Sequence, residues 1–296
     1  MSSETGRTEK RPGFPGRGRP DAPQKRREWG GRSPASAQPL SLGGRRAVVE
    51  AIRAGRAIRV FAAKGTKETG GLRAVIEEAE RSGVPLEWAA RREMEHMQVE
   101  NAQGVVALVT APRELDDRAM DTVARDPEAL VVVLDGITDP QNFGAAARSA
   151  EAAGVSLLVA RKHRAAPMSP AAVKASAGAL LHLPVARVVN IARAIDRLHE
   201  GGFRVVGLDQ RADVSIQDAD PPGRPLALVL GAEDKGISRL VRESCDELVA
   251  IPMLGRTASL NASAALAAGL FGFALRLAAR PEPIRSAGPD PEAEAR

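Results

Sequence analysis

From Leu130 onward, short Val- and Leu-rich runs alternate with stretches of helical spacing, and this alternation limits the possible folds more than any other feature of the chain. The runs cover residues 130–135, 155–160, 180–185, 203–208, 225–230 and 248–251. Helices are expected from about Asn142, around 171–177, over 191–200 and from Leu260. Apolar runs without a polar residue at every second position belong to strands covered on both faces. Interleaved with helices, they predict an α/β fold built on a parallel sheet. Ligands of such sheets gather at the carboxyl ends of the strands.

A smaller α/β pattern precedes this block. Residues 45–55 have apolar positions at helical spacing and end at Gly55. Strands are expected over 57–63, 84–88 and 104–109, with a helix over 72–82 between the first two. The unit closes near Pro112, and a polar helical link over 114–126 leads to the larger block. The expected organisation is a basic, disordered arm over 1–40, a small unit over 41–112, a linker over 113–127, the main unit over 128–280 and a disordered tail over 281–296.

Charge separates the arm from the body. Residues 1–40 hold nine Lys and Arg against four Asp and Glu, so they carry the whole +5 of the chain, and the remainder is balanced at 33 against 33. An arm of this composition attracts phosphates without specificity, or has no role at all. The lone Cys245 excludes an internal disulfide, and His96, His163, His182 and His199 form no metal-ligand spacing, so no metal is expected. The amino terminus has no apolar core and does not read as a secretory signal, which places the protein in the cytoplasm. Residues 260–278 approach membrane-spanning length. They contain Asn261, Ser263 and Arg276 and are dominated by Ala and Gly, so a buried helix is expected and no membrane partner.

Three phrases carry the chemistry, and all fall at expected strand ends. The first runs from Leu134 through Asp139-Pro140-Gln141-Asn142 to Arg148. Asn142 is a candidate N-cap, and Gly144 to Ala147 leave a slim helix face. Six helical residues turn through roughly 240°, so Asn142 and Arg148 converge only if Asn142 lies in the loop. The second phrase leaves a strand at Leu230 and turns through Gly231 to Glu233, with Gly236 opening the next helix. It lacks the Gly-Lys-Ser/Thr ending of a P-loop, and the first phrase lacks the glycine spacing of a dinucleotide fingerprint. The third leaves a strand at Ile251-Pro252 and enters a helix through Ser259-Leu260-Asn261, where either Ser259 or Asn261 caps.

In this order the three phrases resemble the SpoU (TrmH) family of RNA ribose 2'-O-methyltransferases. The likeness covers about residues 43–280, and the small unit resembles the L30e-like RNA-binding domain found ahead of many of its catalytic domains. Ala102 stands where relatives often place a His, and Ala262 and Ala264 stand where β-branched residues are common. The resemblance implies the SPOUT fold with a trefoil knot, a homodimer, and S-adenosylmethionine held at Gly231, Ile251 and Leu260. It implies Asn142, Arg148, Glu233, Ser259 and Asn261 as the catalytic set, with Arg148 nearest the hydroxyl proton. A guanidinium stays charged and is no base by itself, so either a substrate phosphate assists Arg148 or it only orients the hydroxyl. The implied substrate is RNA, with a guanosine of bacterial large-subunit rRNA first. The alternatives are tRNA methylation, an rRNA-methylating resistance protein, and a non-catalytic RNA-binding assembly factor. With no tyrosine and 3% aromatic residues, phosphate contacts should outweigh base stacking.

Overall fold

The computed structural model describes residues 39–278 except 98, 100, 113, 221 and 222. Nearly all of the expected arm and the whole expected tail therefore lie outside the described residues. The chain forms two sheets. The first is built from β1 (Leu40–Gly43), β2 (Ala57–Ala63), β3 (Leu86–Ala89) and β4 (Val105–Val109) in the order β1-β4-β2-β3, with α1 (Arg45–Arg53), α2 (Gly70–Arg81) and α3 (Arg91–His96) between strands. β4 pairs antiparallel with both β1 and β2, whereas β2 and β3 run parallel. α1 buries Val48, Val49 and Ile52. β1 starts inside the segment expected to be a free arm, because Leu40 and Leu42 pair with the edge of β4.

The second sheet has seven strands, every pairing parallel: β5 (Glu114–Leu115), β6 (Leu130–Asp135), β7 (Leu157–Arg161), β8 (Val185–Val188), β9 (Arg204–Leu208), β10 (Leu226–Gly231) and β11 (Glu247–Val249). Their order is β11-β9-β10-β6-β7-β8-β5. The chain builds from β6 outward through β7 to β8, then returns to the other side of β6 for β10 and β9. The order thus reverses between β6 and β10, the kind of crevice where open parallel sheets bind ligands. β6 and β10 are buried at every position, which explains their uninterrupted apolar sequence.

Helices cover the sheet: α4 (Ala119–Val123), α5 (Pro140–Ala152), α6 (Pro170–Ala175), α7 (Ile191–Glu200), α8 (Arg239–Glu243) and α9 (Ala262–Ala278). α7 shows how local sequence sets an element. Asn190 accepts from the Arg193 N–H at 3.3 Å as N-cap, and Ile191, Ala194, Ile195 and Leu198 make one buried stripe. α9 crosses the sheet closely because it lacks bulk: a Cβ on Gly269 would lie 2.7 Å from Leu208. No helix among the described residues is long and apolar enough to cross a membrane.

Three expectations are corrected. The apolar run at 180–185 is no strand: Ala179–Leu181 form a 3-10 turn after Gly178, whose φ of 93° turns the chain, and the strand is Val185–Val188. The link at 114–126 is not a continuous helix, because Glu114 and Leu115 pair with Val185 and Ala186 as an edge strand and only five residues of α4 follow. Gly236 does not open a helix, since Ser238 stands at the N-cap position of the short α8.

The two sheets share one apolar core. A single cluster of buried residues runs from Leu42, Val48 and Ile52 of the first unit to Leu180, Leu181, Phe143 and Leu228 of the second. Glu50 of α1 lies against Gly178, where an added Cβ would come within 2.6 Å of the glutamate's own Cβ.

Candidate functional site

The loops after β9, β10 and β11 meet at the carboxyl ends of those strands, and the second and third phrases lie in the latter two. There they enclose a cavity of about 290 Å³. Its apolar wall includes Leu208, Leu230, Val249, Ile251, Met253 and Leu260, and its polar rim includes Asp209, Gln210, Arg211 and Glu233. Gly231, Ile251 and Leu260, the three residues expected to hold a cofactor, all line it.

Gly231 ends β10 where no side chain fits. A Cβ there would sit 2.0 Å from the Gly236 carbonyl carbon and 2.1 Å from the Ile237 nitrogen. The chain folds back this tightly because Ala232 and Gly236 exchange both backbone hydrogen bonds, at 3.1 and 2.8 Å. Gly236 completes the turn with φ 65°, the left-handed region open to glycine. The turn projects Glu233 toward the start of α9.

Glu233 gathers the polar cluster. Its Oε1 accepts from Asn142 Nδ2 at 2.9 Å, from Asn261 Nδ2, and from the Ala262 N–H at 3.3 Å. Asn261 Nδ2 also donates to Asn142 Oδ1 at 2.9 Å, closing a triangle of three side chains that lie up to 119 residues apart. Asn261 itself is fixed by capping α9: its Oδ1 accepts from the Ser263 N–H at 2.9 Å and from Ser263 Oγ at 2.6 Å. Of the two expected caps, Asn261 is therefore the one used. Ser259 is exposed two residues earlier, and no described residue is bonded to its hydroxyl.

The expectation for Asn142 is corrected. It is not the N-cap and does not lie in the loop. Asp139 caps α5 by accepting the Asn142 N–H at 3.0 Å, Pro140 takes the first helical position, and Asn142 is already inside the helix. Arg148 lies six residues further along the same helix and so points elsewhere. It is exposed, and no described residue forms an ion pair or hydrogen bond with it. Glu233 holds the two asparagines rather than Arg148. The slim face of α5 does exist: a Cβ on Gly144 would be 2.4 Å from the Ala172 carbonyl oxygen of α6.

Charged residues that the motif reading missed brace the cavity from behind. Asp209, 6% exposed at the end of β9, accepts from the Arg211 N–H at 3.0 Å, from Arg211 Nε at 3.1 Å, and from Arg242 of α8. Asp135, 3% exposed at the end of β6, accepts from the Ser238 N–H at 2.8 Å and from Arg161 at 3.1 and 2.8 Å. Two carboxylates from strands on either side of β10 thus pin the segment that follows Gly231. Nearby, burial pushes the Cys245 thiol up to about 12, aided by the negative charge of Asp246, Asp135 and Asp209. It remains a protonated donor, bonded to the Val241 carbonyl at 3.2 Å. Among the described residues no group of three or more His, Cys, Asp or Glu is placed to hold a metal ion.

A site of this kind holds a flat or bent apolar ligand against strand ends and presents amide and carboxylate groups at one mouth of the cavity. A family model described as the SpoU rRNA Methylase family matches residues 129–271, and one described as RNA 2'-O ribose methyltransferase substrate binding matches residues 42–115. The chain is 39% identical over 233 residues to the putative TrmH family tRNA/rRNA methyltransferase YacO of Bacillus subtilis, covering 78% of this chain and 92% of that one. It is 37% identical over 218 residues to the 23S rRNA (guanosine-2'-O-)-methyltransferase RlmB of Vibrio vulnificus, covering 73% and 87%. Among solved structures, the SpoU methyltransferase AviRb from Streptomyces viridochromogenes in complex with AdoMet superposes with a TM-score of 0.64 at 26% identity, over 81% of this chain and 90% of that one.

Proposed function

The chain belongs to the SpoU rRNA methylase family, and from that premise we propose that it methylates a ribose 2'-hydroxyl of RNA with S-adenosylmethionine as donor. The observation that carries the reading is the cavity at the ends of β9, β10 and β11, with the Asn142–Glu233–Asn261 triangle at its mouth. The residues fit the donor: Leu208, Ile251 and Leu260 give an apolar slot for an adenine, and the Gly231 turn brings backbone groups against it with no side chain between. When bound, the donor would supply an activated methyl on a sulfonium sulfur: the C–S bond breaks with its electron pair staying on sulfur as a thioether, a C–O bond forms at the ribose, and the hydroxyl proton is released.

The chain's own task is positioning. The Asn142–Glu233–Asn261 triangle ties α5, the 231–236 turn and the start of α9 into one rigid rim against which a nucleotide is oriented. Arg148, exposed and with no side-chain partner among the described residues, lies on a different face of α5 from Asn142, and in this reading it meets a substrate phosphate and the 2'-hydroxyl from outside the triangle. Its fork either orients that hydroxyl or, with the phosphate, shares its proton. Ser259, exposed two residues before Asn261, completes the proposed set. The 2'-hydroxyl requirement selects RNA over DNA.

The leading substrate is a guanosine of large-subunit rRNA in the cytoplasm, supported by the likeness to RlmB. In this reading residues 41–112 present the RNA and residues 128–280 carry out transfer. A homodimer is supported by α9, whose Ala264, Ala268 and Phe271 form an exposed apolar stripe at helical spacing. Trefoil threading of the chain after β11 is supported by its pairing along the loop after β9, where Ile216 N–H donates to Ala250 O and Ala250 N–H to Val214 O, both at 2.8 Å.

The test is methyl transfer from labelled donor to transcribed 23S rRNA and to tRNA in excess chelator, with ribose methylation mapped by alkaline resistance. Transfer to a 2'-oxygen of 23S rRNA is expected without added metal. Methylation only of a base, or only after a divalent ion is restored, refutes the reading.

A further inference from the structure

The end of β7 and the loop after it carry four basic residues in a row, Arg161-Lys162-His163-Arg164, in a body whose charges balance overall. Arg161 is committed to Asp135. Lys162, His163 and Arg164 are exposed, and no described residue forms a hydrogen bond or ion pair with their side chains. The backbone beneath them is held from several sides. Lys162 N–H donates to Val188 O at 2.8 Å, and Ala166 N–H donates to Ile137 O at 2.9 Å. Arg187, only 8% exposed, closes the loop from below, donating from Nη1 to the Arg161 carbonyl at 3.3 Å and from Nη2 to the Ala166 carbonyl at 2.9 Å. Its Nε meets Glu114 at 2.8 Å, and its guanidinium lies 4.9 Å from the centre of the Phe143 ring. Phe143 adjoins Asn142 in α5, and Ile137 lies two residues before the cap Asp139. One buried cation therefore fixes the basic loop to the segment that positions the candidate site.

We propose that Lys162, His163 and Arg164 form a phosphate-contact knuckle that grips the RNA backbone beside the target nucleotide; this rests on the reading of the protein as an RNA methyltransferase. Three adjacent donors with no acceptor among the described residues, on a loop whose backbone is already held, suit a polyanion with regular phosphate spacing. The backbone is already fixed, so the contact costs only the ordering of the side chains themselves. Such contacts fix register and carry no sequence information, which leaves choice of nucleotide to the site itself.

The test uses the full chain with K162A/R164A, and with K162R/R164K as the charge-conserving control. Binding of a fluorescein-labelled 20-residue uridine oligomer and of transcribed 23S rRNA is titrated against salt, alongside RNA methylation kinetics and calorimetry with S-adenosylhomocysteine. Losing two phosphate contacts should flatten the slope of log K against log salt by roughly 1.4 for a single strand. KM for rRNA should rise with kcat preserved, cofactor affinity should stay unchanged, and the control should restore binding. An unchanged slope in a protein whose wild type binds and methylates RNA overturns the knuckle alone. A wild type that neither binds nor methylates RNA overturns both readings.

Discussion

Replacing Gly231 with Ala tests the cavity with a single carbon. The added Cβ would meet the carbonyl carbon of Gly236 at 2.0 Å and the nitrogen of Ile237 at 2.1 Å. Both neighbours are backbone, so no side chain can swing aside. The turn must open, and opening it breaks the Ala232–Gly236 pair at 3.1 and 2.8 Å. Forced overpacking costs about 1–3 kcal/mol, and two backbone hydrogen bonds add roughly 0.5–1.5 kcal/mol each. A central value of about 4 kcal/mol lowers the melting temperature by about 8–16 °C for a chain of this size. Because the same turn walls the cavity and carries Glu233, affinity for S-adenosylhomocysteine should fall at least tenfold even well below the melting point. Differential scanning fluorimetry and calorimetry read the two effects separately. A variant that melts within 1 °C of the parent and binds the cofactor product normally would falsify the claim that the close contact shapes the site.

Arg148→Lys should reduce single-turnover methylation by two orders of magnitude or more while leaving cofactor affinity intact, because a point charge cannot replace a planar fork; near-normal turnover would make Arg148 a surface residue. Cys245 should resist iodoacetamide at pH 8 in the native protein and react quickly in denaturant, and equal rates would contradict its burial. Its folded pKa is raised, so its stabilising contribution is complete below the unfolded thiol value of about 8.5 and is lost as pH rises toward about 12. Wild type should accordingly lose stability faster than Cys245→Ala between pH 9 and 11, measured by urea titration. Deleting residues 1–38 should weaken RNA binding most at low salt without moving the methylated position; a shifted position would make the arm a specificity element.

Local sequence announced the central strands and not the edges. Val131, Val132 and Val133 leave no reading for β6 other than a strand covered on both faces, and the stripe in α7 is equally direct. Leu180-Leu181 failed because a buried 3-10 turn and a buried strand are alike in apolar content, and the positive φ of Gly178 is not visible in composition. Glu114-Leu115 is too short to show any period. Asp139-Pro140 is the standard pairing for the first turn of a helix, and the asparagine beyond it drew attention away. Motif likeness names Asn142, Glu233 and Asn261 without implying that they bond to one another, since residues so distant in sequence share no periodicity. Asp135 and Asp209 resemble solvated loop residues until the sheet closes over them. Arg187 did leave a signal: a cation between Ala186 and Val188 in an apolar strand must find partners.

The apolar core common to both sheets turns the protein into a caliper. Leu42, Val48 and Ile52 pack in one cluster with Leu180 and Leu181, so swinging the small sheet away from the large one would expose apolar surface to water. An RNA that touched loops of the first sheet while its ribose met the Asn142–Glu233–Asn261 rim would have to bridge the span between them. The spacing between two features of a folded RNA would then matter to the fit alongside the identity of its bases.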